Sequence, residues 1–224
     1  MSERLLSIRG LSVRLPHGAD RSHALIDVSL DLGPNEILCV VGESGSGKSL
    51  TAAAVIGLLP GPQVFTEAGS ILFEGRDLLT LSEAEMRRIR GARIGMIFQE
   101  PMTALNPLMP IGRQIEEVLE EHTALPRAER QARTIALLDE VRLPDPALVA
   151  RAYPHEVSGG QRQRAMIAMA LALNPRLLIA DEPTTALDVT TQKRILGLIR
   201  ALQRSHGTGV LFITHDFGVV AEIA

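Results

Sequence analysis

The sequence predicts an α/β protein built around a phosphate loop, with a mostly parallel sheet, an N-terminal antiparallel β-hairpin and a helical insertion. Three observations carry this. Residues 42–49 read Gly-Glu-Ser-Gly-Ser-Gly-Lys-Ser, the pattern G-x-x-x-x-G-K-[ST], set between the apolar run 37–41 and the helix-forming Leu-Thr-Ala-Ala-Ala-Val-Ile. Short runs at 177–180 and 210–214 are uniformly apolar, as parallel strands covered on both faces must be. From about 110 to 154 the apolar spacing becomes helical.

Taken in order, runs 5–15 and 24–32 flank Pro16-His17-Gly18-Ala19-Asp20, which is turn chemistry and predicts the hairpin. In the loop, Gly42, Gly45 and Gly47 let the backbone curl with its N–H groups inward, and the following helix aims its positive end at an anion. Lys48 suits β/γ-phosphates and the Ser49 hydroxyl suits Mg²⁺. With glycine near 7% of residues, the full pattern arises by chance in about one chain in a hundred of this length. A nucleoside triphosphate site follows, and a dinucleotide site is disfavoured because the glycines run G-x-x-G-x-G. A strand is predicted from Gly69, a capping box at Ser82-Glu-Ala-Glu starts a helix ending near Gly91, and 94–98 is a strand. Ile111, Ile115, Val118 and Leu119 share one helix face, and Ile135, Leu138 and Val141 another. A long helix is predicted from about Arg162 to Leu173, and 217–224 is helix-like.

Composition narrows the classes. The 224 residues are 46% hydrophobic, enough for one large α/β domain or a domain with a small insertion. A net charge of −3 lacks the basic footprint of a general nucleic-acid binder, and Arg87, Arg88, Arg90 and Arg93 are read as a solvated helix face. The lone Cys39 lies in a strand-like run and is read as a buried reduced thiol, which excludes disulfides and cysteine-rich metal sites. There is no signal-peptide core, and the apolar stretch 165–173 is half a membrane span, so a cytosolic protein is expected, with any membrane role supplied by a partner.

Further groups suit phosphate chemistry. Ser158-Gly159-Gly160-Gln161 precedes the long helix and is either a second anion site or an ordinary N-cap turn. Asp181 and Glu182 close the apolar run 177–180; alternation along a strand would send Asp181 to Mg²⁺ and Glu182 to a water as general base. Gln99 and His215 each follow a strand, and in an open parallel sheet such carboxyl ends line the ligand crevice. The remaining histidines, His17, His23, His122, His155 and His206, are read as satisfied surface residues.

Together these motifs resemble the ATP-binding subunits of ABC transporters over essentially the whole chain. Walker A matches at 42–49, the Q-loop at Gln99, the signature at 158–161, Walker B at 177–182, the D-loop at Ala186-Leu187-Asp188 and the switch histidine at His215. The strings at 98–107, 153–164 and 180–189 are similar to the oligopeptide/dipeptide importer group, which also serves nickel, glutathione and peptide antibiotics. The resemblance implies a core at 1–100 and 162–224 with a helical signature subdomain at 101–161. It implies that two such subunits, identical or different, sandwich two ATP molecules. In each site Gly42, Glu43, Ser44, Gly45, Ser46, Gly47, Lys48, Ser49 and Leu50 hold the nucleotide, and Ser158, Gly159, Gly160 and Gln161 of the other subunit close it. Ser49, Gln99 and Asp181 would serve Mg²⁺, Glu182 would polarise water, and His215 would contact the γ-phosphate. Asp188 would communicate across the interface. Permease subunits would be the membrane partner, docking beside the segment 100–114, with an extracytoplasmic solute-binding protein acting indirectly. The subunit would then be peripheral on the cytoplasmic side of the membrane.

Three departures stand out. Where the family places an adenine-stacking ring the aligned residue is Leu15, which predicts weak base discrimination. Val157 replaces the usual Leu before the signature. The chain ends nine residues after His215, where relatives continue, so a truncated chain without the C-terminal extension is expected. The alternative is a soluble ABC ATPase acting on nucleic acid or the ribosome. It is disfavoured because only about a hundred residues separate Ser49 from Ser158, too few for a long coiled coil, and because Thr185-Ala-Leu-Asp188 stands where translation factors carry Asn-His-Leu-Asp. A non-hydrolysing nucleotide sensor is disfavoured by the presence of both Glu182 and His215.

Overall fold

A computed structural model describes residues 4–185 and 187–223. The N-terminal runs form β1 (Leu6–Arg14) and β2 (His23–Leu32), paired antiparallel as expected, with Leu6 opposite Leu32 and Arg14 opposite His23. The hairpin does not stand alone. β4 (Phe65–Phe73) pairs antiparallel with β1 and carries the short β5 (Arg76–Asp77), making a four-stranded sheet in the order β2-β1-β4-β5. β4 begins four residues before the strand predicted from Gly69. That glycine lies inside it at φ 102°, where a Cβ would be 2.7 Å from the Arg9 carbonyl oxygen, so it marks an irregular register and not a strand start.

The second sheet is parallel, in the order β3-β8-β7-β6, from β3 (Ile37–Val41), β6 (Ile94–Ile97), β7 (Leu177–Asp181) and β8 (Gly209–Thr214). β7 and β8 are central and buried at every position. Their alternate residues face two clusters: Leu177, Ile179, Leu211 and Ile213 pack with the antiparallel sheet and α1 (Lys48–Val55), whereas Leu178, Ala180, Val210 and Phe212 pack with the helices. β3 is an edge strand, and Cys39 on it is only half-buried, a correction to the expected buried thiol; that burial still pushes the thiol pKa up.

α2 (Glu83–Ile89) starts at the expected capping box of Ser82 and Glu85. Arg90 is not on a solvated face: its guanidinium donates to the Ile56 carbonyl at 2.7 Å and the Gly57 carbonyl at 3.2 Å, tying α2 to the end of α1. α3 (Pro101–Ala104) is one turn. The insertion forms α4 (Ile111–His122), α5 (Arg127–Glu140) and α6 (Pro146–Arg151). On α5 the buried face is Thr134, Leu137 and Leu138, one step round from the expected Ile135. α7 (Gly159–Ala170) begins and ends three residues earlier than predicted, and α8 (Val189–His206) and α9 (Phe217–Ile223) flank β8. Among the described residues no helix is long and apolar enough to cross a membrane.

Candidate functional site

Parallel pairing places the carboxyl ends of β3, β6, β7 and β8 along one rim, which collects the loop, Gln99, Asp181 and His215. The loop leaves β3 and returns as α1. Gly45 and Gly47 take φ of 78° and 95°, conformations that favour glycine, and a Cβ on Gly47 would lie 2.5 Å from Leu25 Cδ2. Gly42 has no positive φ; its role is space, since a Cβ there would sit 3.0 Å from Ser46 Oγ. Lys48, 8% exposed, donates from Nζ to the carbonyl oxygens of Gly42 and Glu43, each at 2.7 Å. The loop carbonyls are thus turned onto a cation held beneath them, and the helix N-terminus above is left for an anion.

Ser49 Oγ donates to Asp181 Oδ1 at 3.0 Å. Burial pushes the Asp181 carboxyl above its usual range; the Ser49 hydrogen bond pulls down, the neighbouring Glu182 charge pushes further up, and the Lys48 ammonium pulls down. A buried carboxylate and a hydroxyl at the phosphate end are a donor set for Mg²⁺, which takes one or two protein oxygens and completes its shell with phosphate and water. Among the described residues no group of three or more acidic, His or Cys side chains forms a metal cage.

Glu182 is placed differently from the simple strand alternation expected. It follows the last residue of β7 with φ 46°, left-handed backbone that costs a non-glycine residue about 1–3 kcal/mol. Its N–H donates to the Ile213 carbonyl at 2.9 Å, and its own carbonyl accepts from Thr185 N at 3.2 Å. The carboxylate that results is 9% exposed. Three groups converge on Oε2: Gln99 Nε2 at 3.2 Å, Thr185 Oγ1 at 3.0 Å and His215 Nδ1 at 3.1 Å. These come from the ends of β6, the turn after β7 and the end of β8.

A cleft of about 380 Å³ joins this acid to the loop, lined by Ser44, Gly45, Gly47, Lys48, Ser49 and Leu50 on one side and Gln99, Glu182 and His215 on the other. Two lining residues were missed from the sequence. Arg21, in the β1–β2 turn, donates from Nη2 to the Gly45 carbonyl at 2.7 Å, and Thr185 binds the acid. Nothing local marks Arg21; Thr185 was read only as part of a motif string.

Leu15, expected at the adenine base, and Ser158 and Asp188, expected to act across a subunit interface, lie outside this cleft. Leu15 is half-buried against the hydrophobic cluster. Ser158 caps α7: its Oγ accepts from Gln161 N at 3.3 Å, and its N–H donates to Gln161 Oε1 at 2.8 Å, so the ordinary N-cap alternative describes these side chains. Asp188 caps α8, accepting from Thr191 Oγ1 at 2.6 Å and Thr191 N at 3.0 Å; those bonds, the hydroxyl's first, hold its carboxyl below the usual range. Ala186 of the D-loop lies outside the described residues. The two capped termini are neighbours, since a Cβ on Gly160 would be 3.1 Å from Thr191 Cγ2. His23 and His206 pair with Glu67 and Glu140, as satisfied surface residues do. A larger cavity of about 920 Å³ lies elsewhere, between Arg4, Asp31, Glu36 and Arg176, where Arg4 and Arg176 already pair with Asp31 and Glu74.

A model of the family described as ABC transporter matches residues 25–185. The peptidoglycan transport ATP-binding protein YejF of Agrobacterium fabrum is 56% identical over 100% of this chain and 41% of its own length. The oligopeptide transport ATP-binding protein OppD of Bacillus subtilis is 51% identical over 99% of this chain and 62% of its own. The chain therefore spans less than two thirds of these relatives. Among solved structures, the ATP-binding cassette MJ0796, dimeric in a post-hydrolysis state and bound to ADP and Pi, superposes with a TM-score of 0.85 at 30% identity, covering 97% of this chain and 90% of that one.

Proposed function

The chain belongs to the ABC transporter family, and from that premise we propose that it binds and hydrolyses ATP, as one of a pair of ATP-binding subunits energising a membrane importer for peptides or similar small solutes. The observation that carries the reading is the convergence of Gln99, Thr185 and His215 on one oxygen of Glu182, beside a phosphate loop whose lysine is already in place. The relatives named for peptidoglycan and oligopeptide transport support the cargo class. They lend none to the nucleic-acid alternative.

In this reading the amides of residues 42–47 and the start of α1 bind the phosphates, and the Lys48 ammonium transfers from loop carbonyls to β/γ oxygens. Ser49, Gln99 and Asp181 would hold Mg²⁺. Bound there, the ion would offset phosphate charge. Glu182 accepts a proton from water as its oxygen bonds to the γ-phosphorus and the bond to the β–γ bridging oxygen breaks, leaving ADP and phosphate. His215 is half-exposed and in this reading contacts the γ-phosphate. Ser158 to Gln161 and Asp188 act on the partner subunit's nucleotide; their neighbouring helix termini form one surface suited to that. The hairpin contributes Arg21 to the nucleotide, with Leu15 only an apolar support. The division into a core at 1–100 and 162–224 and a helical part at 101–161 remains the working one. The permease docks at 100–114, the solute-binding protein acts through the permease, and the subunit sits peripherally on the cytoplasmic face.

The test is Glu182→Gln. ATP binding should persist while turnover falls by roughly 10²–10⁴, as for loss of a general base. Lys48→Ala should lose binding. Parental turnover by Glu182→Gln would remove Glu182 as the base.

A further inference from the structure

Thr185 has no counterpart in the roles assigned above. Its side chain is exposed and fills no core, yet its hydroxyl points inward to Glu182 Oε2 at 3.0 Å. Its backbone N–H closes the turn 182–185 onto the Glu182 carbonyl at 3.2 Å, a bond that any residue but proline supplies. The hydroxyl is therefore the part of Thr185 that the fold itself does not require. Of the three groups on Oε2, it alone belongs to the same turn as the acid; Gln99 and His215 arrive from neighbouring strands.

We propose that Thr185 is a positioning residue for hydrolysis: its O–H, donated to Oε2, fixes the Glu182 rotamer so that Oε1 faces the attacking water. Among the described residues no hydrogen bond reaches Oε1. A glutamate in left-handed backbone at the end of a strand has its Cα direction set by the turn but keeps its own side-chain torsions, and a short tether within the turn removes that freedom. In the step served, the water oxygen bonds to the γ-phosphorus, the bond to the bridging oxygen breaks with its electron pair leaving on ADP, and the water proton passes to Oε1. Thr185 keeps its own proton throughout. The inference rests on the ATPase reading given above.

Steady-state hydrolysis by Thr185→Val and Thr185→Ser, each checked for parental melting temperature, tests it. Valine keeps the shape and loses the O–H; kcat should fall about tenfold, the factor for one hydrogen bond to a charged group, with KM and ATP affinity unchanged. Serine keeps the O–H and should stay within about twofold of the parent. Placed in Glu182→Gln, the valine change should cause no further loss, because the side chain it orients no longer acts as base. Parental kcat in Thr185→Val, serine as impaired as valine, a loss confined to KM, or a full extra loss in the double variant would each overturn the proposal. Parental hydrolysis by Glu182→Gln would remove Glu182 as the base, and with it the premise of this inference, whereas absence of ATP hydrolysis by the parent would sink the ATPase reading itself. Collapse of Glu182→Gln with Thr185→Val at parental rate would sink only this inference.

Discussion

Arg21 makes the hairpin side of the cleft cationic and not aromatic, since its guanidinium sits on the Gly45 carbonyl while Leu15 turns toward the hydrophobic cluster. Arg21→Ala should weaken ATP binding about threefold to tenfold, the lower range for a charge-assisted hydrogen bond at an exposed site. Leu15→Ala should instead lower stability by about 1 kcal/mol with affinity unchanged. Calorimetry of both variants checks this, and equal affinities for Arg21→Ala and the parent would count against the contact. Asp181 carries an opposite tension. Because burial raises its folded pKa above the usual carboxylate value, the folded chain holds this proton more tightly than the unfolded one, so its contribution to stability falls as pH rises through that interval. Asp181→Asn keeps an acceptor for Ser49, and should melt higher than the parent at neutral pH while losing Mg²⁺-dependent nucleotide binding. The advantage should shrink on acidification toward pH 4; a lower melting temperature at pH 7 would contradict it. The loop, Asp181, Glu182, Gln99 and His215 were legible because each residue type answers to phosphate chemistry at a strand end. Arg21 was not, because its role depends on how far the turn after β1 leans over the loop, which local sequence does not encode.

The elements were legible where a period or a cap marked them and misplaced where two meanings shared one residue. Ser158-x-x-Gln161 satisfies the capping-box pattern, which starts α7 at Gly159, and the same residues read equally as an anion site or an N-cap turn, so the predicted helix start falls three residues late. Gly69 looked like a boundary and is an irregularity within β4. The segment after β6 shows the same difficulty, since it has no periodicity to separate inside from outside. Leu105 is 3% exposed and belongs to the core, whereas Leu108 is 87% exposed. The loop between them is braced by Gln114, which accepts from Asn106 N at 2.9 Å and donates to the Met109 carbonyl at 2.8 Å. Leu105→Asp should therefore cost several kcal/mol and unfold a marginal chain. Leu108→Asp should melt and hydrolyse ATP like the parent but fail to co-purify with the permease. Normal co-purification by Leu108→Asp would move the docking surface elsewhere.

At the scale of the whole molecule, the parallel sheet is a wall shared by two cores, one against the antiparallel sheet and α1, the other against the helices. The fold class was readable because β7 and β8 are apolar at nearly every position. That the hairpin would extend through β4 and β5 into a second sheet was not, because antiparallel partners as far apart in sequence as Leu6 and Phe73 leave no mark in either strand alone. The unbroken burial of β7 and β8 also carries a kinetic consequence. Amides at 178–181 and 210–213 have no route to solvent short of separating both cores, so they should exchange with deuterium only when the entire chain unfolds. Those at 17–22, in the exposed turn carrying Arg21, should exchange orders of magnitude sooner through local opening. Mass-resolved exchange of the nucleotide-free chain would read both. Comparable rates in the two segments would mean that the reacting acid does not hang from the slowest-opening part of the molecule.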